Sequence, residues 1–183
     1  MSKRRSSQWT LKPQDLAVAF KLAAGPLGVS YRELGAQMLL SQYEAHAAVQ
    51  RLLAARLMAD TGQGFGLIQD AFANFVRYGA AYAFPPVRGS VTIGFPTAYA
   101  AKPLSEQILF AQENPPVWPH PQGTHRGVAL LPLYEKLPLA ALKDEKLYAL
   151  LALFDALRIG QARERTLVLG LLSVALGQPD ATQ

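Results

Sequence analysis

Three features of the chain predict a mainly α-helical protein. Two Ser-x-x-Glu boxes, Ser30-Tyr31-Arg32-Glu33 and Ser41-Gln42-Tyr43-Glu44, start eleven residues apart. A glycine-spaced stretch, Asp60-Thr61-Gly62-Gln63-Gly64-Phe65-Gly66-Leu67, follows them closely. Two strongly apolar segments, Lys146–Leu157 and Gln161–Leu176, stand near the C-terminus. In each box the Ser oxygen can accept an amide of the first helical turn while the Glu reaches back to the cap's own amide. Helix starts at that separation leave about two turns of helix and a short connection, the layout of a helix-turn-helix. The glycine stretch reads as a tight hairpin, in the place a wing would take. The expected fold is an N-terminal winged helix-turn-helix, then a helix, a Pro/Gly-rich irregular segment with short strands, and two C-terminal apolar helices.

Composition supports a folded chain. Of 183 residues, 50% are hydrophobic and 17% charged, enough apolar material for a sizeable core. Cysteine is absent, which excludes disulfides and thiolate metal sites and fits a reducing cytoplasm. The net charge of +5 is unevenly placed. Residues 1–58 hold eight basic and three acidic residues, whereas the remainder holds ten of each. The excess lies on the segment with the twin boxes, and a polyanion partner is its simplest explanation. A solubilising surface would carry such an excess as well.

Each element has its own local signal. Met1–Gln8 reads as a polar, basic arm. Pro13 suits the first turn of a helix, and Leu16, Ala19, Phe20 and Ala23 fall on one face of it until Gly25-Pro26 ends it. Ser30 begins a second helix with Leu34 and Met38 inward. Ser41 begins a third, with Ala45, Val49, Leu52 and Leu53 inward. Residues 68–83 form a fourth helix, stopped by Pro85-Pro86. From Val87 to Leu137 the chain is rich in Pro and Gly and reads as an irregular segment with one or two short strands, with extended pieces such as Val91–Phe95 and Val128–Leu131. Asp144 caps the first apolar C-terminal helix, Gly160 breaks it, and Gly177 with Pro179 ends the second. Asp155 reads as a helix-surface partner of Arg158, and Trp118 as a packing residue.

With Ala45, Val49 and Leu52 inward, the third helix presents Gln42, Tyr43, His46, Ala47 and Gln50 outward, with Arg51 at the edge. Gln can bond adenine through N6 and N7, His can donate to guanine, and the Ala47 methyl can meet a thymine methyl. An ordinary solvated helix face also carries Gln and His. Arg51 and Arg56 are candidates for phosphate as much as for guanine. Ser30, Tyr31, Arg32 and Ser41 lie at helix starts, where amides, hydroxyls and a guanidinium suit phosphate oxygens. Lys3, Arg4 and Arg5 suit an adjacent minor groove or phosphates, although basic arms also occur on proteins that bind no nucleic acid.

Other chemistry has no support in the sequence. His120 and His125 lack carboxylates at metal-ligand spacing. No Gly-x-Ser-x-Gly, His-Glu-x-x-His or P-loop pattern occurs, so neither an enzyme nor a cofactor is expected. Arg4-Arg5 precedes a stretch interrupted by Asp15 and Lys21, which argues against a twin-arginine export signal. The run Leu167–Leu176 is too short to span a bilayer.

The stretch from Trp9 to about Leu57 resembles winged helix-turn-helix bacterial regulators of the MarR-like or ArsR-like kind. The matching residues are Leu16-Ala17-Val18-Ala19-Phe20-Lys21-Leu22, Ser30-Tyr31-Arg32-Glu33-Leu34-Gly35, Leu40-Ser41-Gln42-Tyr43-Glu44-Ala45-His46 and Val49-Gln50-Arg51-Leu52. The stretches Tyr82-Ala83-Phe84-Pro85-Pro86, Pro96-Thr97-Ala98 and Asp155-Ala156-Leu157-Arg158 resemble the C-terminal half of small uncharacterised bacterial regulators. The chain departs from MarR-like proteins in its wing, since Asp60–Leu67 holds neither Lys nor Arg. The resemblance implies a cytoplasmic, sequence-specific transcriptional regulator of double-stranded DNA that pairs as a homodimer. Residues 1–67 would form the arm and DNA-binding domain. Residues 68–183 would pack on it and supply dimerisation, a small-molecule effector site or a protein partner, with the two apolar helices either buried between other elements or forming the dimer surface. The alternative is a winged-helix adaptor, or an antitoxin that holds a partner protein through its C-terminal half.

Overall fold

The computed structural model describes residues 9–25, 29–62, 64–107 and 113–178, apart from the side chain of Arg163. The architecture is mainly helical with two small sheets. Helix α1 (Pro13–Ala24) starts with proline in its first turn, and the Asp15 carboxylate accepts the Lys12 amide at 2.8 Å. It is buried almost all round, from Asp15 to Phe20, rather than along the single stripe expected. The cause is its position between α3 (Gln42–Ala54) on one side and α8 (Glu145–Ile159) on the other.

Helices α2 (Tyr31–Met38) and α3 begin with the two boxes closed as expected. Ser30 Oγ accepts the Glu33 amide at 3.2 Å while Glu33 accepts the Ser30 amide at 3.0 Å. The corresponding Ser41 and Glu44 distances are 3.1 and 2.8 Å. Leu39 takes the left-handed conformation that ends α2. Gly35 lets α2 and the next connection meet, because a Cβ there would lie 2.9 Å from the Leu40 carbonyl oxygen. The buried stripe of α3 is Ala45, Ala48, Val49 and Leu52, with Leu53 half-buried. Strands β1 (Met58–Asp60) and β2 (Phe65–Leu67) pair antiparallel, Met58 opposite Leu67 and Asp60 opposite Phe65.

Helix α4 (Gln69–Phe75) runs through a π-turn, Val76–Ala80, into α5 (Ala81–Ala83). The following segment is more ordered than the expected irregular stretch. Strand β3 (Arg88–Pro96) pairs antiparallel with β4 (Pro116–Pro119) and with β5 (His125–Leu130), and β4 pairs parallel with β5. Prolines at both ends of β4 hide it from a strand pattern. Gly127 is required there, since a Cβ would meet the Pro115 carbonyl oxygen at 1.9 Å. Short α6 (Leu104–Gln107) and α7 (Leu137–Ala141) lead to α8 and α9 (Ala162–Ala175).

Two expectations about the C-terminal helices are corrected. Helix α8 is not a dimer surface: Leu147 and every residue from Leu150 to Arg158 are buried within the chain itself. Only α9 keeps exposed apolar side chains, Leu167 and Val174. Asp155 and Arg158 do pair, but inside the protein. Asp155 also accepts the Thr97 hydroxyl at 2.7 Å and the Trp118 indole at 2.6 Å, so the buried carboxylate is satisfied by donors from distant segments. The expected parts 1–67 and 68–183 share one core. Phe20 meets Phe72 edge-on at 5.3 Å and Phe154 at 5.4 Å, and Tyr134 donates to the Met38 carbonyl at 2.7 Å. Among the described residues no helix is long and apolar enough to cross a membrane.

Asp144 caps α8 by accepting the Leu147 amide at 3.1 Å and pairs with Lys21 of α1 at 2.6 Å. Partial burial works to raise its pKa, but the Lys21 ammonium and the helix amides outweigh it and hold the carboxyl below its ordinary 3.8. A carboxyl held down in the folded state contributes stability that is full above the unfolded pKa and is lost as pH falls through the folded one. Asp144→Asn keeps a capping oxygen and removes the charge. It is expected to be less stable than the parent near neutral pH, with the gap closing in acid. Asp144→Ala loses the cap too and costs about 1 kcal/mol more. Urea unfolding of both variants at neutral and acid pH checks this.

Candidate nucleic-acid interface

The outer face of α3 is open. Tyr43 is 80% exposed, Gln42 and His46 are exposed, and Ala47 and Gln50 are half-buried. From the C-terminal half, Tyr134 and Lys136 come near Glu44 at the start of the helix, while Gln42, Tyr43 and His46 keep their exposure. His46 meets the Tyr31 ring edge-on at 4.9 Å, and Tyr31 stacks on Phe65 of β2 at 4.9 Å with 19° between planes. These rings join the start of α2, the middle of α3 and the hairpin into one surface. The sequence gives Tyr31 and His46 as candidates but offers no signal for Phe65, whose partners are distant in the chain.

Arg51 departs from its expected role. It turns inward, and its Nε and Nη2 donate to Asp15 Oδ2 and Oδ1, each at 2.7 Å. Asp15 has no exposed surface. A carboxylate so placed requires a cation, and Arg51 lies close enough on the last turns of α3 to supply it. The Asp15 hydrogen bond is the largest cause of the raised Arg51 pKa. The guanidinium is therefore committed to Asp15 and is not presented for phosphate or guanine.

The polar groups at the helix starts are also partly committed. Besides accepting amides, the Ser30 and Ser41 hydroxyls donate to Glu33 and Glu44 at 2.9 and 2.7 Å. Both carboxyls are held below their ordinary range, first by the backbone amide and then by the hydroxyl of the capping Ser. Arg32 and Arg56 are exposed, and Arg56 follows α3 with φ 58°. Of the basic residues behind the local charge excess, Lys21 and Arg51 are in ion pairs, whereas Lys12, Arg32 and Arg56 have none among the described residues. Lys3, Arg4 and Arg5 lie outside the described residues.

A groove of about 570 Å³ lies beside the open face, bordered by the start of α2, α3 and the hairpin. The C-terminal half has a second groove of about 670 Å³, with Lys102, Glu106, Leu142 and Glu145 in its walls. Its Tyr148 hydroxyl donates to the Pro96 carbonyl, and burial pushes the phenol up to about 12. Among the described residues no three His, Asp or Glu side chains come together to hold a metal. Compared with family models, curated proteins and solved structures, the chain finds no match.

Arg51→Ala leaves Asp15 buried without its partner and is expected to cost about 3 kcal/mol. Gln42→Ala, on the open face, should stay within about 0.5 kcal/mol of the parent. Denaturant unfolding compares them, and equal stabilities would contradict a structural role for Arg51.

Proposed function

We propose that the chain is a sequence-specific double-stranded DNA-binding regulator of the winged helix-turn-helix kind, with α3 entering the major groove. One observation carries the reading: Gln42, Tyr43 and His46 stand open, with Gln50 half-buried beside them, on a helix whose opposite side is fixed in the core. The order of three helices and an antiparallel hairpin supports it, with β1–β2 in the position of a wing. Tyr43 and Gln50 lie at the centre of the sector and are assigned to base edges, with Gln42, His46 and Ala47 beside them. Arg32 and Arg56, with Lys3, Arg4 and Arg5 of the arm, are assigned to phosphates. Ser30 and Ser41 act mainly by capping their helices and by exposing first-turn amides. Recognition of two half-sites calls for a pair of subunits, and the exposed Leu167 and Val174 of α9 are among the apolar side chains available for that contact. Such a regulator works where the chromosome is, in the bacterial cytoplasm.

The second reading is a protein-binding winged-helix adaptor or antitoxin. It is favoured by the acids around the reading face: Glu33, Glu44 and Asp60 are exposed beside Arg32 and Arg56, with Lys136 close enough to act on Glu44. A surface of that balance gains less from phosphates than the net charge of the segment implies.

Salt-dependent binding to non-specific duplex DNA separates the two. A DNA binder loses affinity with a slope of about −0.9 per phosphate neutralised. Arg32→Ala and Arg56→Ala are each expected to lower that slope by about 1, and triple Ala replacement of Lys3, Arg4 and Arg5 to lower it by about 3. Fluorescence anisotropy reads the slopes. Absence of duplex binding at low salt would reject the DNA reading in favour of the adaptor.

A further inference from the structure

The groove between α2, α3 and the hairpin has a volume of about 570 Å³, within the range of small-molecule sites. Glu33 and Asp60 belong to its lining, and among the described residues no basic side chain does. The acids come from different elements, the first turn of α2 and the end of β1. The stacked rings of Tyr31 and Phe65, together with Gln50 and Leu53, complete the wall. Ser30 holds the Glu33 carboxyl below its ordinary value, so it stays charged across the neutral range. Asp60 Oδ1 accepts the Gly62 amide at 2.8 Å, which fixes the carboxylate, and Oδ2 has no hydrogen-bond partner among the described residues. Two negative charges beside aromatic rings, with no basic residue among the described lining and Arg32 and Arg56 outside it, form a concave field that draws positive charge and repels phosphate.

We propose that this groove binds a small organic cation, an ammonium or guanidinium carried on an aromatic or aliphatic body. The charged head sits between Glu33 and Asp60, and the body lies against the Tyr31–Phe65 rings and Leu53. Gln50, Ser30 and Tyr31 belong both to the groove and to the surface assigned to DNA. A bound cation therefore competes with duplex. The competition rests on the DNA reading, whereas the cation site does not.

The test titrates phenethylammonium into the full chain, with 2-phenylethanol and phenylacetate as neutral and anionic counterparts of the same body. The ¹H–¹⁵N resonances of Gln50, Gly62 and Gly64 report occupancy. Saturable shifts are expected with the ammonium, at affinity about fivefold or more above that of either counterpart. Glu33→Gln preserves the capping box, which accepts Gln as readily as Glu. Asp60→Asn preserves an acceptor for the Gly62 amide. Each is expected to weaken the ammonium about two- to fivefold, with an unchanged unfolding midpoint as the control for folding. No saturable shift at these resonances, equal binding of phenylacetate, or undiminished ammonium affinity in the folded double variant overturns the site. A second arm measures duplex affinity with and without saturating ammonium at constant ionic strength. Weaker DNA binding in the parent but not in the double variant supports competition, and unchanged DNA binding in the parent overturns it. A chain that takes up the ammonium yet binds no duplex refutes the DNA reading alone.

Discussion

The bidentate pair between Asp15 and Arg51 sets the geometry on which the rest of the N-terminal half depends. Asp15 lies in the first turn of a helix that is apolar on nearly every side, where an unpaired carboxylate would be prohibitively costly. It meets that cost with the Lys12 amide at the start of α1 and with the guanidinium of α3. The planar fork of arginine accepts little rotation when both nitrogens are engaged. The pair therefore fixes the roll of α3 about its own axis. With Ala45, Ala48, Val49 and Leu52 against the core and Arg51 drawn back to α1, the sector from Gln42 to Gln50 has to face outward.

Phe20 extends this constraint through the molecule. Its ring contacts Phe72 of α4 and Phe154 of α8, so the three-helix unit is packed against the C-terminal half through shared aromatic contacts. Lys21 and Asp144 add an ion pair across the same junction, and Tyr134 reaches the last residue of α2. A second buried centre lies around Asp155, where Thr97, Trp118 and Arg158 tie the end of β3, β4 and α8 together. Both centres use one carboxylate to gather donors that are remote in the chain. Buried carboxylates paired in this way specify a single arrangement more sharply than apolar packing alone, although Arg158 Nε is left without a hydrogen-bond partner among the described residues.

The features legible in the sequence are those whose physics is local. A capping box is closed by residues three apart, so Ser30–Glu33, Ser41–Glu44 and the Asp144 cap could be read directly. The hairpin was marked by its glycines, and the fourth helix by its apolar spacing until a π-turn shifted its register. What stayed hidden depends on partners far away. Arg51 looks like a surface cation until Asp15 of α1 is placed beside it, and Asp155 looks solvated until Trp118 and Thr97 arrive. Helix α8 has the composition of an interface helix, but the chain covers it with its own α1, α9 and β-rich segment. Strand β4, bounded by prolines, becomes a strand only through β3 and β5. At the candidate interface the outward residues of α3 were legible from periodicity. The local charge was not, because two of the basic residues behind the expected excess are spent on internal ion pairs.

That redistribution of charge shifts the weight of the proposed DNA reading from overall attraction to the pattern of hydrogen-bonding groups along α3. Only a few free cations surround the face, and acids stand among them, so discrimination between base sequences has to come from Gln42, Tyr43, His46 and Gln50. Selection of bound duplexes from a random-sequence pool tests this most directly. The account predicts enrichment of a defined motif by the parent chain and loss of that preference in a folded His46→Ala, Gln50→Ala variant. Recovery of a pool as random as the one supplied, or the same motif from both proteins, would contradict it.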